Sequence, residues 1–128
     1  MMINFEELPE FKKDLKRLLK KYRTLTNDLE DVSRDLYDDP DARPPFSFRI
    51  EGLGITTCVI KMKKIASDSF KCRGVNSGFR LIYAYFKKEG RIVLIELFHK
   101  NEKENEDRER ILKNFKEINQ SIKRISYG

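Results

Sequence analysis

The sequence is poor in the residues on which many enzymes and metal sites depend. It contains one histidine, His99, and two cysteines, Cys58 and Cys72. A single histidine excludes a ribonuclease built on a pair of histidines and a His-rich metal site. The cysteines are not spaced as CxxC, which favours two reduced thiols in a cytoplasmic protein. Neither a P-loop nor a GxGxxG motif occurs, so no nucleotide cofactor is indicated.

Long apolar runs are also absent. The apolar stretch 92–95 ends at Glu96, well short of the roughly 18 residues that a membrane-spanning helix needs. The first residues carry carboxylates where a signal peptide has its apolar run. We therefore expect a cytoplasmic protein that has no membrane partner.

Charge, in contrast, is abundant and unevenly distributed. Charged residues make up 38% of the 128 residues, and the net charge is +6. Residues 26–41 hold seven acids and one base, a local charge of −6, so the remainder carries +12, the difference between +6 and −6. A remainder this basic favours a polyanionic partner. The length fits a single domain over 1–128, since domains commonly run about 100 to 150 residues.

The hydrophobic pattern predicts an α+β fold. Apolar residues at steps of three and four predict a first helix, and Thr26 is the expected N-cap of a second helix that forms a hairpin with it. Short strands are expected at 3–5 and 46–50, followed by longer strands from Thr57, at 79–86 and at 92–98. The apolar stripe of residues 111–125 predicts a C-terminal helix. We expect three or four of the strands to form a mainly antiparallel sheet.

Cations gather near the ends of the predicted strands. They are Lys61 and Lys63 on one strand, Lys71 and Arg73 in the next loop, Arg80 at the start of the following strand, and His99 and Lys100 at the end of the last. Cleavage of RNA by its own 2′-hydroxyl needs a base, an acid and cations that stabilise the phosphorane. A planar guanidinium such as that of Arg80 can hold two phosphate oxygens. Lysines on an exposed strand face are more often only solubilising.

Several of these segments together resemble a known family. FEELPEFKKDLKRLLKKY, the alternating IKMKK, SGFRLIYAY and IVLIELFHKNEKE are similar to segments of the RelE/ParE toxins of type II toxin–antitoxin systems, most of all the RelE and HigB-like members. The resemblance implies a RelE-like fold and metal-independent cleavage of mRNA on the ribosome without a cofactor. It also implies an antitoxin that wraps the toxin, and operator DNA that is contacted only through the antitoxin complex.

The resemblance also assigns residues. Lys61 and Lys63 match the paired strand lysines, of which one is the proposed general base, and Arg80 matches the arginine that stabilises the phosphorane. His99 is the candidate acid. The expected RNA contacts are Lys71, Arg73, Lys100 and a stacking ring, either Tyr83, Tyr85 or Tyr127. Two positions depart from the family pattern: Asn101 replaces an arginine, and Asp107 falls where RelE has a tyrosine.

Two alternative functions remain open from the sequence. A ParE-like protein would inhibit DNA gyrase and would need no catalytic residues, which the two departures allow. A non-toxic domain that binds RNA or protein could keep the same scaffold.

Overall fold

The computed structural model describes residues 3–63 and 78–115. Its helices are α1 (Pro9–Leu19), α2 (Leu25–Asp38) and α3, which begins at residue 108 and is helical to residue 115, the last described residue. Its strands are β1 (Asn4–Glu7), β2 (Ser47–Arg49), β3 (Cys58–Met62), β4 (Phe79–Phe86) and β5 (Arg91–His99). No helix in the described ranges is long and apolar enough to cross a membrane.

The strands form one sheet in the order β1-β5-β4-β3-β2. β1 runs parallel to β5, and the other neighbours are antiparallel. The α+β class and the mainly antiparallel sheet are therefore confirmed. The sheet has five strands instead of three or four, because the short segments at both edges pair with it.

Helices α1 and α2 cover one face of the sheet. Their apolar positions recur at helical spacing, as the sequence predicted, and bury Phe11, Leu18 and Leu36 in a core that also contains Leu81 and Tyr83 of β4. This α1–α2 face is therefore closed by side chains from three elements.

The second helix begins before the residue predicted as its N-cap. The carbonyl of Thr24 accepts the first helical hydrogen bond, from the N–H of Asp28 at 3.0 Å, and its hydroxyl donates to the Asp28 carboxylate at 3.2 Å. Thr24 is thus the N-cap, and Leu25, which is fully buried, is the first helical residue. The prediction of Thr26 as N-cap is wrong because Leu25 already enters the core as part of the helix.

The hairpin of β4 and β5 separates two cores. Leu81 and Tyr83 point towards α1 and α2, whereas Ile82 and Ala84 point into a second core that contains Ile111 of α3. β4 is therefore buried on both faces, as its apolar sequence predicted. The chain reverses through a short 3-10 turn at Lys87–Glu89, followed by Gly90 in the left-handed conformation.

The second half of β5 forms a free edge, because β1 ends opposite Leu94. Side chains from two helices form hydrogen bonds with the backbone groups of that edge. Asp14 of α1 accepts a hydrogen bond from the Leu97 N–H at 3.1 Å, and Arg110 of α3 donates to the Ile95 carbonyl at 3.0 Å. Arg110 also donates to Asp14 at 2.8 Å. This bridge joins the layers on the two faces of the sheet around its edge.

Replacing Asp14 should therefore destabilise the fold strongly. Asp14→Ala leaves a buried strand N–H and the Arg110 guanidinium without their acceptor, which should lower the free energy of unfolding by about 2–4 kcal/mol. Urea denaturation measures this change. The control is Asp31→Ala, whose exposed pair with Arg34 should matter by less than about 0.5 kcal/mol. Equal losses for the two variants would contradict the role assigned to Asp14.

Candidate nucleic-acid interface

A groove lies on the α3 face of the sheet, beside the edge strand β2. Phe48 of β2 pairs with Lys61 of β3, so the two side chains project to the same face. The groove has a volume of about 340 Å³ and is bordered by these two residues, by Lys63 and, from the segment that enters α3, by Glu106 and Arg108. We call it the basic groove.

A buried ion pair forms the floor of the basic groove. The Lys61 ammonium lies 3.0 Å from the Glu106 carboxylate, and the two side chains are only 11% and 8% exposed. Burial alone would raise the pKa of the Glu106 carboxyl. Hydrogen bonds from its own backbone and from Lys61, together with the charges of Lys61 and Arg108, lower that pKa below its usual value. Glu106 is therefore ionised at neutral pH and holds Lys61 in place.

Arg80 and Lys63 lie together where β3 ends and β4 begins. Met62 pairs with Leu81, which brings Lys63 next to Arg80. The guanidinium Nη1 donates to the carbonyls of Lys63 and Phe79, both at 3.2 Å. Burial lowers the pKa of Arg80, but an arginine with a modestly lowered pKa stays charged at neutral pH. Lys63 lines the groove and is exposed, and half-buried Arg80 lies beside it, so two cations lie together at this end of the groove.

The turn between β5 and α3 is fixed by Glu96, which is buried. Its carboxylate accepts the Asp107 N–H at 2.8 Å and pairs with Lys103. Asp107 in turn accepts the Arg110 N–H at 3.1 Å, which makes it the N-cap of α3. Asp107 thus has a structural role, and the cap determines where Glu106 and Arg108 border the groove.

His99 does not lie near Lys61, Lys63 or Arg80. It pairs with Phe79 across the hairpin, is 2% exposed, and stacks on Tyr22 at 5.6 Å on the α1–α2 face, opposite to Arg80. The physical reason is a β-bulge: Ile95 is an extra residue in β5, so the register shifts by one and the following side chains change faces. The expectation that His99 gathers with Arg80 and the strand lysines is therefore wrong.

The strand tyrosines do not supply a ring for RNA. Tyr83 is fully buried and its hydroxyl donates to the Pro40 carbonyl at 2.8 Å, and burial raises its pKa. Tyr83 is therefore not accessible to RNA in this structure, which corrects its assignment as an RNA contact. Tyr85 pairs with Cys58 and packs against the α1–α2 core, away from the basic groove.

Lys100 and Asn101 follow β5 at the open end of the hairpin. Lys100 is exposed and its backbone N–H donates to the Gly78 carbonyl at 2.9 Å. The Asn101 N–H donates to Nδ1 of His99 at 3.1 Å. A contact between Lys100 and RNA stays a prediction. Lys71, Arg73 and Tyr127 lie outside the described residues.

Sequence reasoning missed three residues of the groove: Phe48, Glu106 and Arg108. Phe48 lay in a strand that was expected, but its pairing with Lys61 had not been inferred. Glu106 and Arg108 lie in a highly charged stretch, where a single buried carboxylate has no distinguishing pattern. For Phe48, the sequence did offer one indication: it lies in a predicted strand that precedes the lysine-bearing strand.

Comparisons with known proteins bear on the fold. Neither a protein-family model nor a curated protein sequence matches this chain. A metal-bound toxin from Helicobacter pylori superposes with a TM-score of 0.55 and 20% identity, over 79% of this chain and 98% of that one. The archaeal RelE–RelB complex from Pyrococcus horikoshii gives 0.52 and 16%, over 78% and 97%. The chain has a RelE-like fold.

The RelE-like fold agrees with the resemblance seen in the sequence, and at these identities the likeness concerns the fold alone. One of the two neighbours is metal-bound. In the part of this chain that the structure describes, no group of three or more His, Cys, Asp or Glu side chains is placed to hold a metal ion.

The close packing of His99 against Gly78 can be tested. Gly78 has φ +94°, and a Cβ there would lie 2.7 Å from Nε2 of His99. Gly54 has φ +71°, and a Cβ there would have no atom within 4 Å. Its replacement by alanine therefore measures the backbone strain alone. Gly54→Ala should lower the free energy of unfolding by about 1–2 kcal/mol. Gly78→Ala should lower it by about 1–3 kcal/mol more than Gly54→Ala, because its Cβ also meets His99. Equal costs in thermal or urea unfolding would mean that His99 is not packed as described.

Proposed function

We propose that this protein is the toxin of a type II toxin–antitoxin system and cleaves mRNA on the ribosome. The observation that carries the proposal is the convergence of Lys61, Lys63 and Arg80 on one face at adjacent strand ends. The RelE-like fold supports it, because the solved neighbours are a toxin and a RelE–RelB complex. A cationic site of this kind suits a phosphodiester, whose charge increases in the phosphorane.

The proposed reaction is attack of the 2′-hydroxyl on the adjacent phosphorus with cleavage of the bond from phosphorus to the 5′-oxygen. One fragment keeps a 2′,3′-cyclic phosphate, and the departing 5′-oxygen takes a proton from water to become a 5′-hydroxyl. Arg80 stabilises the negative charge that develops on the phosphoryl oxygens. Lys61 contributes charge from the floor of the groove, where Glu106 engages its ammonium. We assign the proton transfer from the 2′-hydroxyl to Lys63, because it is the strand lysine whose side chain is open to solvent. These roles require side chains alone and no cofactor.

The proposal implies a set of partners. The substrate is mRNA held by the ribosome, which locates the action in the cytoplasm. The inhibitor is a cognate antitoxin, and operator DNA is contacted through the toxin–antitoxin complex. The fold of the neighbour solved as a RelE–RelB complex supports the antitoxin partner. His99 is not retained as the general acid, because it stacks on Tyr22 on the other face of the sheet.

The Lys63→Arg variant tests the function and the assigned base together. Arginine keeps the positive charge but does not give up its proton near neutral pH, so it cannot act as a base. On a translated message, the parent protein should produce 2′,3′-cyclic phosphate ends. Lys63→Arg should cleave about 10²- to 10⁴-fold more slowly while ribosome binding changes by less than about threefold. End mapping and co-sedimentation with ribosomes measure the two effects.

The matched control is Arg34→Ala, an exposed helix residue that pairs with Asp31; it should cleave like the parent. Full activity of Lys63→Arg would exclude Lys63 as the base. Intact transcripts with accumulated gyrase–DNA cleavage complexes would instead establish the ParE-like function. Normal growth on soluble expression without an antitoxin would favour the non-toxic binding domain.

A further inference from the structure

We propose that Phe48 is a stacking platform for one unpaired base of the RNA, with the flanking phosphates held by Lys63, Arg80 and Arg108. The inference deepens the proposed function by naming single-stranded RNA as the form that the basic groove accepts, and it rests on that function.

The first observation is that a large apolar ring remains open in the groove. Phe48 is 38% exposed, although most large apolar side chains of the described residues are buried. Its pairing with Lys61 turns the ring towards the α3 face, not into the α1–α2 core. Among the described residues, β2 is the last strand on that side of the sheet and has three residues, so no described strand covers the groove there.

The second observation is the charge around the ring. The Lys63 ammonium lies over the Phe48 ring, 5.3 Å from its centroid. The face of the ring is therefore accessible to a charged group. Arg108, on the opposite wall of the groove, is 52% exposed and pairs with Glu106 at 3.5 Å. An exposed ring between cations is the composition of sites for single-stranded nucleic acid, in which the rings stack on bases and the cations follow the backbone.

The third observation is that, of the three large exposed rings in the described ranges, Tyr37, Phe46 and Phe48, it is Phe48 that lines the groove. Tyr83, Phe79 and Phe98 are buried in the two cores, and Tyr37, which is exposed, lies on α2 and away from the groove. Within the described ranges, Phe48 is the exposed ring that borders the basic groove. A base paired in a duplex presents no free face, and therefore the ring selects unpaired RNA.

Tryptophan fluorescence provides the test, because the chain contains no tryptophan. In the Phe48→Trp variant, a single-stranded RNA oligonucleotide with 2′-O-methyl groups, which cannot be cleaved, should quench the indole emission with saturation. The same oligonucleotide as a duplex, and an abasic oligonucleotide of equal length, should not quench it. The matched control is Tyr37→Trp, whose emission should be unchanged by RNA.

The Phe48→Leu variant separates stacking from apolar packing, since leucine keeps the bulk and lacks the aromatic face. Anisotropy of a labelled 2′-O-methyl RNA should report affinity about 5- to 100-fold weaker than that of the parent, with an unchanged circular dichroism spectrum. Absence of quenching in Phe48→Trp, equal quenching in Tyr37→Trp, or parental affinity in Phe48→Leu would overturn the inference.

These outcomes are distinguishable from a failure of the proposed function. Cleavage of a translated message without quenching would overturn the stacking role alone. Quenching without cleavage would support RNA binding in the groove and contradict the proposed nuclease activity.

Discussion

The β-bulge at Ile95 determines which functional side chains share a face of the sheet. Between the turn and the bulge, β4 and β5 pair in one register, as in Tyr83 with Leu94; beyond it the partners shift by one, as in Ile82 with Glu96. If side chains alternated regularly through Ile95, without the bulge, His99 would lie on the face of Arg80. With it, His99 joins Tyr22 and Phe79 in a core, and the other face is left to lysine and arginine.

The basic groove depends in turn on how α3 is attached. Buried Glu96 holds the turn that leads into the helix, Asp107 caps it, and Glu106 then reaches Lys61. Glu106 pairs with the most buried cation and, at 3.5 Å, with Arg108, and it leaves Lys63 and Arg80 available for an anion. Burying a lysine without a partner would be costly, so the pair allows a cation to sit on the floor of the groove. Stability and the proposed RNA site therefore use the same contacts.

The limits of sequence reasoning follow from the same features. The strand Phe79–Phe86 and the shared face of Lys61 and Lys63 were accessible from the sequence, because an apolar run predicts the first and alternation along one strand predicts the second. The face of His99 was not, because a bulge in a strand that is buried on both faces leaves no mark in the sequence. Phe48 and Glu106 were missed because their roles depend on contacts with Lys61 that span long distances in the chain.

The central claim is that RNA phosphates bind in the basic groove and not on the exposed lysines of α1. The salt dependence of RNA affinity tests it most directly, because each lost phosphate contact reduces the slope of log K against log salt by about 0.7 for a single strand. The variant Lys63→Ala/Arg80→Ala should reduce the slope by about 1.4, and Lys12→Ala/Lys16→Ala, which removes two exposed α1 charges, should leave it unchanged. The reverse result would place the RNA on α1 and contradict the account.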